Sequence, residues 1–172
     1  MLIVAHRCNS IEKIERAFES GADVCELDLR MMEDDMVLSH DPPGAKPVPR
    51  LIEVWRRWSS NKFWLELKEP IRFGLKKALV ISFNPNYLRN LDQRKGLILA
   101  RRTEFPIEEL KEIGISWILL RKDLISQRAI FQEAGFRVGV WTVNKDFSRF
   151  KKFDAICTDR VEEAISALRR NQ

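Results

Sequence analysis

Apolar residues along this chain gather in short runs separated by charge, Gly, Pro or Asn. Eight runs have strand length: residues 2–5, 23–29, 63–68, 78–82, 96–100, 117–120, 138–143 and 155–158. A further extended piece, 36–39, follows the turn-like Glu33-Asp34-Asp35. Between the strands the apolar spacing lengthens to that of helices. Ile11, Ile14, Ala17 and Phe18 share one face, with Asn9 or Ser10 available as a cap and Gly21 placed to end the helix. Leu51, Val54, Trp55 and Trp58 repeat at i, i+3, i+4 and i+7, which sends Arg56 and Arg57 to the other side. Helical patterns at 107–113, ending before Gly114, at 124–134, ending before Gly135, and at 161–170 complete the set. Strands that alternate with helices pair in parallel through crossovers. Eight of them predict a closed (β/α)8 barrel, an α/β fold of the TIM type.

Length alters that picture. The chain has 172 residues, and such barrels usually need about 200 or more. Residues 69–77, with Pro70 and Gly74 inside them, are fewer than the dozen or so that a crossover helix requires. A single domain over 1–172 is expected, a minimal barrel with one or more helices shortened or missing. The apolar faces left uncovered near 69–77 predict a homodimer.

Composition excludes several classes. Hydrophobic residues at 45% and charged residues at 32% support a core and argue against disorder. No run approaches the ~20 apolar residues of a membrane span. The opening MLIVAHRCNS lacks a basic region ahead of its apolar stretch, so it does not read as a secretion signal. Cys8, Cys25 and Cys157 are odd in number and lack CxxC spacing; Cys25 and Cys157 read as small core residues on outward strand faces. A reduced, cytoplasmic protein is expected. The net charge of +5 conceals an acidic stretch over 1–45 (4 basic, 10 acidic) and a basic one over 46–102 (14 basic, 4 acidic). The basic stretch permits phosphate compounds or peripheral contact with anionic lipid. Its cations are scattered and not interleaved with aromatics outside Trp55 and Trp58, which argues against nucleic acid.

The chemistry gathers on two strands. Side chains alternate along 23–29, so Val24, Glu26 and Asp28 share one face and Cys25, Leu27 and Leu29 the other. The helix-facing side of a barrel is apolar, which turns Glu26 and Asp28 inward. On 63–68 the same rule turns Trp64, Glu66 and Lys68 inward. Three carboxylates against one ammonium leave an excess of negative charge whose burial would cost several kcal/mol per ion. A divalent cation would cancel it, and all-oxygen ligation points to Mg²⁺ or Ca²⁺, with Mn²⁺ a further candidate. His6 and His40 each lie just past the C-terminal end of an extended segment, the rim where such barrels carry catalytic groups. With Arg7 and Lys68 as cations, the set suits a phosphodiester: one imidazole as base, the other as acid.

These residues carry a family resemblance. His6-Arg7, Asn9-Ser10, Gly21-Ala22-Asp23, Glu26-Leu27-Asp28 and His40-Asp41 together resemble the glycerophosphodiester phosphodiesterase family. In the same order, Glu66-Leu67-Lys68 is similar to its third-strand Glu-x-Lys, and Ser82-Phe83 to its fourth-strand Ser-Phe. Trp141-Thr142-Val143-Asn144 is similar to its seventh strand, and Cys157-Thr158-Asp159 to its eighth. The resemblance implies metal-dependent hydrolysis of glycerophosphodiesters to sn-glycerol 3-phosphate and an alcohol. It implies Glu26, Asp28 and Glu66 as metal ligands, His6 and His40 as the acid/base pair, Arg7 and Lys68 on phosphate, and Trp141 lining the substrate pocket. The chain also departs from the family pattern. Cys8 replaces the Gly after His-Arg, Asp35 stands at the glycine turn position, and the insertion after His-Asp shrinks to residues 42–49. These differences thin the glycerol-recognising surroundings. They keep two alternatives in view: a phospholipase D or sphingomyelinase D-like lipid phosphodiesterase, and a non-catalytic barrel that binds a phosphate ligand.

Overall fold

The computed structural model describes residues 1–44, 47–58, 62–71, 77–103 and 105–169. Eight parallel strands close on themselves: β1 (Leu2–Ala5), β2 (Val24–Met32), β4 (Phe63–Leu67), β5 (Leu79–Ser82), β6 (Arg94–Leu99), β7 (Ile115–Arg121), β8 (Arg137–Trp141) and β9 (Ala155–Thr158). Pairing of β1 with both β9 and β2 completes the ring. The ninth strand, β3 (Asp35–Leu38), folds back antiparallel on β2. The chain is a (β/α)8 barrel with a hairpin on its second barrel strand.

Five α-helices are described: α1 (Ile11–Glu19), α2 (Leu51–Arg57), α3 (Ile107–Ile113), α4 (Arg128–Glu133) and α5 (Val161–Arg169). Two crossovers are reduced to single 3₁₀ turns, Pro85–Tyr87 between β5 and β6 and Phe147–Phe150 between β8 and β9. Much of the β4–β5 connection, residues 72–76, lies outside the described residues, as does Arg170 at the end of the last predicted helix. The predicted helix over 124–134 is α4 preceded by a 3₁₀ turn at Ile125–Gln127. Ser10 caps α1, its hydroxyl accepting from the Lys13 N–H, and Gly21 ends it in the left-handed region at φ +89°. Gly114 does the same for α3.

Alternation along the strands sorts the core into two layers. Cys25, Leu27, Leu29, Phe63, Leu65 and Leu67 face outward and pack under the helices. Phe63 meets Trp55, Trp58 and Phe18 at ring separations of 5.5–6.5 Å, contacts that contribute about 0.5–1.5 kcal/mol each beyond burial. Val4, Val24, Ile81, Ile98 and Leu119 fill the barrel interior. Trp64 packs edge-on against Trp117 at 5.1 Å inside it, and the Arg137 guanidinium covers Trp117 at 4.4 Å.

Two expectations change. Cys157 faces inward with Ala155, because Ile156 between them points to the helices. The left-handed turn residue of the β2–β3 hairpin is Glu33, at φ +56°, and not Asp35. Pairing of Met32 with Asp35 makes Glu33 and Asp34 the turn. The outer faces of β4 and β5 at Leu65, Leu67 and Val80 are buried.

Candidate active site

Strand register builds the acidic cluster. Asp28 on β2 lies beside Glu66 on β4, and Glu26 beside Trp64, so all three carboxylates enter the barrel at adjacent levels. All three side chains are buried, and each offers an oxygen within 4.8 Å of those of the other two. That is about twice a metal–oxygen bond, the separation that ligands of one ion can have. Lys68 is the counter-ion within the cluster: its ammonium lies 2.7 Å from Asp28 Oδ1 and donates to Glu66. Glu26 Oε2 accepts the Arg7 backbone N–H at 2.8 Å, while Oε1 is buried with no hydrogen-bond donor among the described residues.

The electrostatics follow from this arrangement. Burial, then the charges of Asp28 and Glu66, pushes the Glu26 carboxyl well above its ordinary value. Burial also raises Glu66, against the opposing pull of Lys68. Desolvation would lower Lys68, but Glu66 and Asp28 outweigh it and hold the ammonium above its usual value. Three carboxylates balanced by one lysine, with an orphaned buried oxygen among them, fit a divalent cation. Glu26, Asp28 and Glu66 are the residues that would hold it.

Arg7 adopts a left-handed conformation at φ +50° directly after β1. This aims its N–H at Glu26 and its guanidinium at His40, 2.7 Å from Nε2. A guanidinium only donates, so His40 Nε2 accepts and Nδ1–H donates to Asp41 Oδ1 at 2.9 Å. His6 Nδ1 meets Asp159 Oδ1 at 2.8 Å, which leaves Nε2 as the ring's other nitrogen for proton transfer. Burial opposes ionisation of Asp159, yet hydrogen bonds from Asn144 and His6 outweigh it and hold the carboxyl below its ordinary value.

The structure brings the eight sequence-predicted residues together. A cavity of about 250 Å³ is lined by His6, Arg7, Glu26, His40, Glu66, Lys68 and Trp141, and Asp28 sits beneath it on Lys68. Gly139 and Trp141 face inward on β8 because Val138 and Val140 face the helices. The Trp141 indole N–H donates to the Leu119 carbonyl at 3.1 Å, and its ring stands edge-on to Phe83.

Several supporting residues were invisible as such in the sequence. Asn9, an alternative helix cap by sequence, instead holds Asp28: Nδ2 donates to Oδ2 at 2.6 Å, and Oδ1 accepts the Asp28 N–H at 2.9 Å. Arg30 donates twice to the His40 carbonyl. Asn144 donates to Asp159 Oδ2 at 2.7 Å and accepts from the Asp159 N–H and Thr158 hydroxyl. Residues 10 to 19 positions apart make these contacts, so only their place within the ordered motifs could have pointed to them.

No family model matches the sequence, and no curated protein sequence matches it significantly. The architecture does match solved structures. A glycerophosphodiester phosphodiesterase from Thermotoga maritima superposes with a TM-score of 0.83 at 19% identity, over 97% of this chain and 98% of that one. The chain has the fold of that enzyme. A second such phosphodiesterase, from Parabacteroides distasonis, gives 0.80 at 20% identity over 99% and 98% of the two chains. An Oleispira antarctica phosphodiesterase, solved with its product sn-glycerol-3-phosphate, gives 0.77 at 18% identity over 97% and 96%.

Proposed function

We propose that the chain is a divalent-cation-dependent phosphodiesterase that hydrolyses glycerophosphodiesters to sn-glycerol 3-phosphate and an alcohol. One observation carries the reading: two carboxylate-backed histidines, two cations and a three-carboxylate cluster face one cavity at the C-terminal mouth of the barrel. A bare phosphate-binding module would need the cations but neither the paired imidazoles nor the carboxylates.

A bound cation would offset the carboxylates and the charge on the phosphoryl oxygens. Arg7 and Lys68 bind the remaining phosphoryl oxygens. A guanidinium matches a phosphate better than an imidazole, so substrate draws Arg7 from His40 Nε2 and frees that nitrogen. His6 and His40 then divide the proton transfers, each oriented from behind by its carboxylate. In the net reaction the oxygen of water becomes bonded to phosphorus, the P–O bond to the alcohol breaks, and the alcohol leaves with a proton. Trp141 forms an apolar wall that limits water around the reacting group. The structures of similar fold support this reading through their named activity.

The deciding experiment assays glycerophosphocholine, glycerophosphoethanolamine, lysophosphatidylcholine and bis(p-nitrophenyl) phosphate with Mg²⁺, Ca²⁺, Mn²⁺ or EDTA. Turnover of the glycerol diesters that needs metal and is lost in His6→Ala is the expected result. Preference for the lysolipid would move the assignment to a lipid phosphodiesterase. Metal binding without turnover of any diester would reduce it to a binding barrel.

A further inference from the structure

A second concavity adjoins the catalytic cavity and shares Phe83 with it. It holds about 560 Å³ and is lined by apolar Phe83, Pro85 and Phe105 and by Arg101, Arg102 and Arg121. Arg101 and Arg102 follow β6, and Arg121 ends β7, so the groove lies at the same C-terminal rim as the two histidines. Its other boundary is the catalytic wall: Arg121 pairs with Trp141 in the β7–β8 register, and Trp141 packs on Phe83.

Charge distinguishes this groove. Arg121 is held in a two-pronged pair by Asp123 at 2.7 Å and is largely satisfied. Glu109, on the helix that follows the loop, is engaged by Arg89. Arg101 and Arg102 are exposed, and neither pairs with any acid or hydrogen-bond acceptor among the described residues. Among the described residues, no carboxylate lines the groove. A glycerophosphodiester with a neutral alcohol carries one negative charge, which the catalytic cavity already meets with Arg7 and Lys68. The two further guanidiniums have no use for such a substrate.

We infer that the groove formed by Phe83, Phe105, Arg101 and Arg102 receives an arm of the substrate that carries a second anionic group, a phosphomonoester or carboxylate. The apolar floor takes the carbon skeleton between the two anions, and the guanidiniums take the distal one. The inference rests on the phosphodiesterase reading and names its substrate class.

A matched pair tests it: glycerophosphoinositol 4-phosphate against glycerophosphoinositol, with wild type, Arg101→Gln/Arg102→Gln and Arg101→Lys/Arg102→Lys. Wild type is expected to favour the phosphorylated arm by about tenfold in kcat/KM, a ratio that falls about fivefold or more in the glutamine variant and survives in the lysine variant. A ratio near one in wild type, or one that the glutamine variant retains, overturns the inference. Preference for lysophosphatidylinositol over both, equal in wild type and variant, would give the groove to an acyl chain and also overturns it. Binding separates this failure from that of the enzymatic reading. If no diester is turned over, inositol 4-phosphate titrated by calorimetry against inositol still decides. Tighter binding of the phosphate that weakens about fivefold in the glutamine variant supports the groove. Equal binding, or none, refutes it.

Discussion

Glu26 carries an electrostatic cost at the residue scale, because its Oε1 is buried without a donor among the described residues while two further carboxylates stand within 4.8 Å. Glutamine keeps an acceptor for the Arg7 N–H and removes the charge. Glu26→Gln is therefore expected to stabilise the metal-free protein by about 1–3 kcal/mol and to abolish the gain from added cation, both read by denaturant melts in EDTA and in Mg²⁺ or Ca²⁺. Lys68 has the opposite sign: Lys68→Met strips Asp28 and Glu66 of their ammonium and should cost about 3–5 kcal/mol in EDTA, partly restored by the cation. In the proposed mechanism Asp159 acts through His6 Nδ1, which it meets at 2.8 Å. Asp159→Asn should lower kcat by about 10²-fold or more with little change in KM, and Asn144→Ala, one bond further out, by about tenfold. Because loss of folded protein would also lower apparent kcat at unchanged KM, the urea midpoints of both variants are measured alongside; midpoints well below wild type would indicate loss of structure rather than of orientation.

At the scale of elements, the barrel closes because strands with small inward residues meet strands with large ones. Trp64 and Trp117 occupy the interior where a side chain on Gly96 would meet Trp117 Cβ at 3.1 Å and Ile81 at 3.0 Å. A Cβ at Gly139 would meet Leu119 Cδ2 at 2.8 Å. Gly139→Val should cost about 1–3 kcal/mol by overpacking and, two residues before Trp141, should widen the substrate pocket. The checks are a urea melt and KM for glycerophosphocholine; an unchanged midpoint would mean that Leu119 yields freely. The alternation on β2 and β4 was legible from residues alone because an outward Leu or Phe fixes the phase of its neighbours. Cys157 was misread because a four-residue strand of small and apolar residues has no polar face to set its phase. The Glu33 turn was misread because hairpin register depends on which backbone groups pair, not on which residue best tolerates a positive φ.

At the scale of the whole molecule, the carboxylate cluster links stability to pH and, with the proposed cation bound, would link it to metal. Glu26 and Glu66 have folded values raised above the ordinary 4.5, so their contribution is fully present below about that pH and is lost as pH rises through the folded values. Thermal midpoints in EDTA should therefore fall as pH rises above about 4.5 toward neutrality, less steeply in Glu26→Gln. Saturating divalent cation should flatten the slope and add about 2.7 kcal/mol at one hundred times its Kd. A slope identical with and without metal would sever the cluster from any cation. No described helix is long and apolar enough to cross a membrane.

The amino-acid pattern alone determined the barrel, its economy of helices, and the inward placement of Glu26, Asp28, Glu66 and Lys68. Those properties follow from period and length, which are local. The tertiary structure decided which distant groups meet. It took Asn9 from a helix cap to the Asp28 carboxylate, put Asn144 behind Asp159, gave His40 to Arg7, and left one oxygen of Glu26 without a donor. Such pairings depend on the register and shear with which eight strands close, and sequence spacing does not encode them.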